Sequence, residues 1–380
     1  MNFELSDEQK LIAESVERFV QDNYALEARR KLAEAEPGFS RDHWSTMAEL
    51  GWLALPFAEE HGGFGGNQID TMVVMEQFGR GLVLEPYLAS VVMGGGAVKR
   101  GATAAVRDEV LPAVIDGSRQ LALAYTEPQA RFDIEDITTT AKADGDGFVV
   151  DGHKSMVLHG PTADQLVVSA RTSGGQRDTG GISLFLIDAD AEGVKRRDFP
   201  TVDGLRASEI DFESVRVGGD RLIGEQDQGY AILRDVANDA ILALSAEAVG
   251  AMEMLYKKTV EYTQERVQFD HPLSDFQVLQ HRMVDMFMEY EQCKSLLYRA
   301  TMESAQGDPA TAQRTVHALK HLVGKAGLFI GENAVQLHGG MGMTEELAIG
   351  HYFKRMLVID AQFGNADYHL EKFAELTAAS

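Results

Sequence analysis

Cysteine, basic residues and long apolar runs are scarce in this sequence, and each shortage excludes a class of protein. With one cysteine, Cys293, among 380 residues, the chain can form no internal disulfide. The neighbours of that cysteine, EYEQCKSLLY, place it at an apolar position of a helical repeat, which predicts a buried thiol without a catalytic role. No run of 18 or more apolar residues occurs, so no membrane span is predicted.

Basic residues are outnumbered, because 35 lysines and arginines face 59 aspartates and glutamates and give a formal net charge of −24. Nucleic acid is therefore not expected as the main partner, since phosphate binding needs a basic face. The charge does not exclude a single polyanionic ligand held by a local cluster of donors. The first residues, MNFELSDEQK, carry acids where an export signal needs a basic stretch before an apolar one, so a cytoplasmic location is expected.

Several motifs of metal and nucleophilic chemistry are also missing. The 11 histidines form no H-E-x-x-H or Cys/His pairing, so no metal is expected, and neither a Walker loop nor a G-x-S-x-G elbow occurs. The glycine-rich stretch HGGFGG, residues 61–66, follows no predicted strand. It is therefore predicted to be a tight turn and not a phosphate loop.

The pattern of apolar residues divides the chain into three parts. Residues 1–120 are predicted to be a helical domain, in which Ser6 and Gln9 form a capping box. Residues 121–226 contain short runs rich in β-branched and aromatic residues between glycine-containing turns, which predicts a β domain of barrel or sandwich type. No long helices alternate with these runs, so a doubly wound dinucleotide fold is not expected.

Residues 227–380 are predicted to form a helical bundle, which makes the expected fold class α+β. One long helix is expected over about 229–267. A second is expected to begin at Pro272 and Ser274, where proline suits a first turn and serine a cap. A third is expected over about 310–338 and should end at Gly339, since glycine suits a helix C-terminus.

Three short sequence motifs, in this order along the chain, resemble those of the acyl-CoA dehydrogenase family. They are TEP at 126–128, ERVQF followed by FQVLQHRMVDM, and QLHGGMGMTEE at 336–346. The resemblance implies an N-terminal helical domain, a middle β domain and a C-terminal four-helix bundle. It also implies a homotetramer or heterotetramer with FAD across a dimer interface. The flavin ring would rest on the β domain of one chain, and the pyrophosphate and adenosine would reach the bundle of its neighbour.

The same resemblance implies which residues would bind FAD. Arg266 would pair with the pyrophosphate, a task suited to a guanidinium, which offers a charged fork of donors. Others would donate to phosphate or ribose oxygens, pack near the adenine or line this half-site with close backbone: Gln268, Phe269, Gln277, Gln336, Leu337, Gly339 and Gly340. Asp270 stands where the family usually has glycine and adds a negative charge beside the pyrophosphate.

The reaction that the resemblance implies is the α,β-desaturation of an acyl-CoA, with electrons passed to an electron-transfer flavoprotein. A carboxylate must remove the α proton. The usual position of this base holds Gly364, and the position used by some members holds Ala240. Asp239 is the remaining candidate base, although adjacent helical residues point about 100° apart, which makes it a poor substitute. Glu247 lies about two turns further along the same helix.

The flavin-ring motifs also depart from the family pattern. Thr126 of TEP is present, but the family's WIT segment is replaced by Met156, Val157 and Leu158. Methionine can contact a ring, whereas leucine cannot donate a hydrogen bond. Arg131 and its two neighbours stand where the family usually has the motif GSD. Arg131 is a candidate to bind a distal carboxylate of the substrate.

Together these departures lead to one main hypothesis and three alternatives. The stretches HYFKRM, FGNADYHL and LALPFAEEHGGFGG are similar to small subunits of heteromeric acyl-CoA dehydrogenases, pimeloyl-CoA dehydrogenase small subunits included. The main hypothesis is a base-lacking small subunit that completes the FAD site of a second acyl-CoA dehydrogenase chain. The alternatives are a homotetramer with a non-standard base, a non-catalytic partner subunit, and a flavin oxidase or monooxygenase of the same fold.

Overall fold

The computed structural model describes residues 4–378, which form two compact units. Within the described residues, one unit contains residues 4–31, 68–83 and 241–378, and the other contains Leu32–Asn67 and Leu84–Ala240. The N-terminal helical region and the long helix after the β domain therefore contribute to both units.

Eleven α-helices lie within the described residues: α1 Asp7–Asn23, α2 Leu26–Glu34, α3 Arg41–Glu49, α4 Gln68–Gly81, α5 Gly96–Gly101, α6 Ala104–Ile115, α7 Gly229–Glu265, α8 Gln277–Gln306, α9 Pro309–His338, α10 Ala348–Ala361 and α11 Ala366–Ala378. Tyr87–Gly95 forms a π-helix before α5. None of the helices over residues 4–378 combines the length and the apolar character that a membrane span requires.

Helix ends follow the local signals at two of the three predicted places. Ser6 and Gln9 form the predicted capping box of α1, with hydrogen bonds of 3.0 and 3.2 Å. The C-cap of α9 is Gly339, as predicted, and its N-cap Asp308 accepts from the backbone of Thr311.

The predicted start of the second bundle helix at Pro272 and Ser274 is wrong. Pro272 belongs to a short strand that pairs back onto Val267, so its backbone is extended. A single 3-10 turn, Leu273–Asp275, follows, and α8 begins only at Gln277.

Ten strands occur in the described part of the chain: β1 Leu121–Ala124, β2 Thr140–Asp144, β3 Gly147–Leu158, β4 Gln165–Arg171, β5 Ile182–Asp188, β6 Val194–Pro200, β7 Arg206–Gly218, β8 Leu222–Ile223, β9 Val267–Gln268 and β10 His271–Pro272. The first eight form one mixed sheet with the order β6-β7-β3-β2-β4-β5-β8, and β1 pairs with β4 in parallel. β4 is buried over its whole length and β5 over all but its last residue, so both read as apolar runs and not as alternating strands.

Candidate functional site

The residues expected to meet the cofactor pyrophosphate lie on a short hairpin between α7 and α8. β9 and β10 pair antiparallel, and the two residues between them, Phe269 and Asp270, have φ of +56° and +63°. Two consecutive left-handed residues are what a two-residue hairpin with the right-handed twist of strands requires. Neither residue is glycine, so each holds this backbone at a conformational cost.

Arg266 stands at the base of this hairpin with its backbone fixed and its side chain free. Its N–H donates to the carbonyl of Tyr262 at 2.9 Å, and its carbonyl accepts from the N–H of Leu273 at 2.8 Å. The side chain is exposed and makes no hydrogen bond or ion pair with any residue between 4 and 378. The guanidinium can therefore bind an anion that comes from outside this chain.

The other three residues expected around this hairpin are exposed as well. Gln268 donates through its side-chain amide only to the adjacent carbonyl of Val267, at 2.8 Å. Phe269 is 85% exposed and presents its ring edge-on to Phe276 at 6.3 Å between centroids. Gln277 is the exposed first residue of α8. The hairpin thus presents donors and an aromatic ring outward.

The second expected motif is the end of α9. Gly339 has φ of +60°, and a Cβ at Gly339 or Gly340 would meet nothing within 4 Å, so the backbone here is open to a ligand. Gln336 is exposed. Leu337 is 7% exposed and packs into the core, so it could line a ligand site only through its backbone.

A stacked pair of rings joins the two motifs. Tyr262 lies one turn before Arg266, and His338 lies directly before Gly339. Their ring centroids are 4.3 Å apart with an interplanar angle of 25°. His338 Nδ1 lies 2.8 Å from the carbonyl oxygen of Ala334, which can only accept, so Nδ1 carries the proton. Burial lowers the pKa of His338, which keeps the ring neutral.

These residues fit the diphosphate and ribose part of FAD. The hairpin contributes the guanidinium of Arg266 and the amide of Gln268, the start of α8 contributes the amide of Gln277, and the end of α9 contributes open glycine backbone. Phosphate oxygens prefer such charged and backbone donors. Two tight turns, separated by about seventy residues in sequence, thus both offer donors that suit phosphate oxygens.

The residues expected at the flavin ring lie in the other unit, where a backbone hydrogen bond places Thr126 beside the segment that contains Met156. The carbonyl of Thr126 accepts from the N–H of Ser155 at 2.9 Å. Met156 follows with φ of +51°, at a bulge where the pairing of β3 with β7 shifts register, and it is 45% exposed. Leu158 is back in register opposite Ala207. Leu158 therefore places an apolar side chain where the threonine of the family's WIT segment would donate a hydrogen bond.

A buried ion pair beneath these residues was not predicted from the sequence. Lys154 donates to Glu127 at 2.8 Å and to Ser169 at 3.0 Å, and neither charged side chain is exposed. Burial by itself raises the pKa of Glu127, but Lys154 and the hydrogen bonds from Thr138 and Gln129 outweigh it and lower the pKa to about 2. Burial lowers the pKa of Lys154 to about 8. The pair is ionised at neutral pH and ties the loop after β1 to β3.

The turn that carries the expected base position has no room for a side chain. Gly364 has φ of +114°, and a Cβ placed there would lie 2.4 Å from the ring of Tyr368 and 2.8 Å from Nε2 of His369. Contacts below 3.0 Å require the neighbours to shift. The close packing of this turn against Tyr368 and His369 therefore depends on glycine at position 364.

Two buried side chains hold this turn in place. Lys320 donates to the carbonyl oxygens of Asp360 at 3.0 Å and Gly364 at 2.7 Å. Nε2 of His369 lies 3.0 Å from the carbonyl oxygen of Phe363. Burial, together with nearby Lys320, lowers the pKa of His369 to about 2, so this neutral ring donates. Sequence reasoning missed both residues because they lie within ordinary helical stripes of α9 and α11.

Asp239, the candidate base, is ion-paired. Its carboxylate accepts a hydrogen bond from the guanidinium of Arg100, and the adjacent Ala240 is fully buried. Glu247 is likewise engaged, because both of its oxygens accept from Arg355 at 2.6 and 2.7 Å. Each carboxylate is thus already engaged by a guanidinium. Neither acid is presented as a free base.

Comparison with known proteins identifies the family. The family models described as acyl-CoA dehydrogenase N-terminal, middle and C-terminal domain match residues 6–118, 122–215 and 227–376. The chain therefore belongs to the acyl-CoA dehydrogenase family, whose members are FAD-dependent oxidoreductases acting on CH–CH bonds. The resemblance, the three-part fold and the cofactor expected from the sequence are confirmed.

Three relatives illustrate this similarity. The caffeyl-CoA reductase-Etf complex subunit CarC of Acetobacterium woodii is 27% identical over 92% of this chain and 92% of its own length. A solved FAD complex of PigA is 27% identical, with a TM-score of 0.92 and coverage of 100% and 99%. The solved Tcur3481-Tcur3483 steroid ACAD is 28% identical, with a TM-score of 0.88 and coverage of 98% of both chains.

Proposed function

We propose that this chain is the base-lacking small subunit of a heteromeric FAD-dependent acyl-CoA dehydrogenase. It completes the FAD site of a second acyl-CoA dehydrogenase chain, which contributes the flavin-ring site and the base. The observation that carries the proposal is the contrast between two places. The turn at Gly364 is filled by Tyr368 and His369, whereas the side chain of Arg266 is exposed and makes no hydrogen bond or ion pair with residues 4–378.

Each group in the half-site has a defined task in this function. Arg266 pairs with the pyrophosphate, Gln268 and Gln277 donate to phosphate or ribose oxygens, and Gly339 and Gly340 admit the ligand to the backbone. Bound FAD would supply the acceptor for the hydride from the β carbon of the acyl-CoA. This chain binds and orients the cofactor, and the partner chain removes the α proton. An electron-transfer flavoprotein is the proposed electron acceptor.

A homotetramer that uses Asp239 is less well supported, because the carboxylate of Asp239 is held by Arg100. An assembly of two different chains agrees with the solved steroid ACAD, which is named for two components, Tcur3481 and Tcur3483. The chain would then be an enzyme subunit that is active only together with its partner.

The test is to purify the chain alone and together with an acyl-CoA dehydrogenase chain that has the catalytic glutamate. We expect little FAD on the chain alone and about one FAD per two chains in the complex, measured by absorbance and by mass in solution. Arg266→Ala should remove FAD from the complex without dissociating it. The matched control is Arg197→Ala, which changes an exposed arginine of β6 whose side chain makes no hydrogen bond or ion pair with residues 4–378. One FAD per chain in the chain alone, bleached by an acyl-CoA, would refute the proposal.

A further inference from the structure

Two side chains outside the expected ligand set occupy the junction of the half-site. Tyr262 is half-buried on the last turn of α7, and His338 is buried on the last turn of α9. The hairpin with Arg266 begins four residues after Tyr262, and the open glycines begin directly after His338. Their ring contact is the point at which the two motifs meet.

The contacts of Tyr262 bear on the position of Arg266. The carbonyl of Tyr262 accepts the N–H of Arg266 at 2.9 Å, which closes the last turn of α7. The ring of Tyr262 packs on His338, so the turn that ends in this backbone bond is anchored to the end of α9. Movement of Tyr262 would therefore move the guanidinium.

The contacts of His338 bear on the glycines. Its Nδ1–H donates to the carbonyl of Ala334 at 2.8 Å, which fixes the ring against its own helix. The turn after it folds back, so that a Cβ at Gly342 would lie 2.7 Å from the carbonyl oxygen of Val335 and 3.1 Å from Cβ of His338. His338 is thus held by α9, by this turn and by Tyr262.

We infer that Tyr262 and His338 are positioning residues for FAD: their stacked rings fix the Arg266 hairpin at the right distance from Gly339 and Gly340. The inference rests on the proposed function of the half-site. Neither ring needs to touch the cofactor. A stacked pair suits this task because it resists sliding of one helix end over the other without adding a charge beside the pyrophosphate.

The experiment measures FAD affinity by titrating the deflavinated complex of this chain and its partner, using the quenching of flavin fluorescence. Arg266→Ala is expected to weaken binding roughly 10- to 100-fold, as for a charged hydrogen-bond donor. Tyr262→Ala and His338→Ala are expected to weaken it about three- to tenfold through loss of the stack. Tyr262→Phe keeps two stacked rings and every hydrogen bond of His338, and it should stay within about twofold of the parent.

A double-mutant cycle separates positioning from general stability. If Tyr262 acts through Arg266, Tyr262→Ala should lose most of its effect on FAD affinity in the Arg266→Ala background. Fully additive effects, or unchanged affinity in Tyr262→Ala and His338→Ala, would overturn the inference. If Arg266→Ala itself leaves FAD affinity unchanged, the proposed function of the half-site fails instead. Circular dichroism at the titration temperature confirms that each variant is folded.

Discussion

At the scale of single residues, Gly364 and Asp270 are two of the positions at which this chain departs from the family pattern, and their surroundings differ. Gly364 stands where a base is usual, and its surroundings have closed over the missing side chain. Asp270 stands where glycine is usual, and the hairpin still adopts the left-handed backbone that glycine would favour. Glycine at position 364 leaves neither a carboxylate at the usual base position nor the space for its side chain. The change at Asp270 keeps the geometry at a cost.

Replacing Gly364 should destabilise the chain and should not restore activity. Gly364→Ala and Gly364→Glu combine a left-handed backbone, about 1–2 kcal/mol for a residue with a Cβ, with overpacking against Tyr368, about 1–3 kcal/mol. Gly62→Ala is the control, since Gly62 has φ of +91° and open space around it, so only the backbone cost applies. Urea unfolding measures the difference. A stable Gly364→Glu chain that bleaches with acyl-CoA would contradict this account.

Asp270→Gly should stabilise the hairpin and strengthen FAD binding. The gain in free energy of unfolding should be up to about 1 kcal/mol, because glycine adopts the left-handed turn without strain. Removal of the carboxylate also removes repulsion of the pyrophosphate. Asp270→Asn isolates the charge, since asparagine tolerates this backbone about as well as aspartate does. The prediction is wrong if Asp270→Gly unfolds at lower urea than the parent or if both variants bind FAD no more tightly.

At the scale of elements, local signals predicted well and distant pairings did not. The capping box of α1 and the glycine at the end of α9 depend on residues within four positions, and both were predicted. The start of α8 was misplaced because Pro272 pairs with Val267 in a strand of two residues, too short for a periodic pattern. Lys154 and Glu127 lie 27 positions apart, and only the sheet brings them together. The closed turn at Gly364 likewise depends on α9, which no local pattern connects to it.

The Lys154–Glu127 pair should be costly to break and sensitive to acid. Glu127→Gln or Lys154→Met leaves one buried charge unpaired, with an expected loss of about 3–5 kcal/mol, and the double variant should lose less than the sum. The pKa of Glu127 is about 2 in the folded chain against an ordinary 4.5. Its contribution is therefore complete above pH 4.5 and is lost as the pH falls from 4.5 towards 2.

Urea unfolding at pH 7, 5 and 4 measures both effects. Between pH 5 and 4 the parent should lose more stability than Glu127→Gln, because only the parent has this carboxylate to protonate. Asp144→Asn, at a partly exposed ion pair of β2, serves as the control and should change stability by about 1 kcal/mol or less. Parallel pH profiles for the parent and Glu127→Gln would show that Glu127 does not contribute in this way.

At the scale of the whole molecule, the residues that the family resemblance singles out fall in both compact units. The half-site belongs to the unit with α8 and α9, and Thr126, Met156 and Asp239 belong to the unit with the sheet. The family fold could be predicted because its three regions keep their order along the chain. Which chain completes which site could not, because a single sequence does not contain its partner.

The division of labour can be tested in the assembled complex by removing candidate bases one at a time. Changing the catalytic glutamate of the partner chain to glutamine should abolish anaerobic bleaching of FAD by acyl-CoA, since no free carboxylate of this chain is proposed to replace it. Asp239→Asn should leave the bleaching rate per bound FAD within about twofold, because the carboxylate of Asp239 is engaged in an ion pair with Arg100. Arg100→Gln with Asp239→Asn removes the ion pair as a unit and controls for the unpaired guanidinium. If Asp239→Asn alone lowers the rate by a hundredfold or more, as loss of a general base does, this chain has its own catalytic centre.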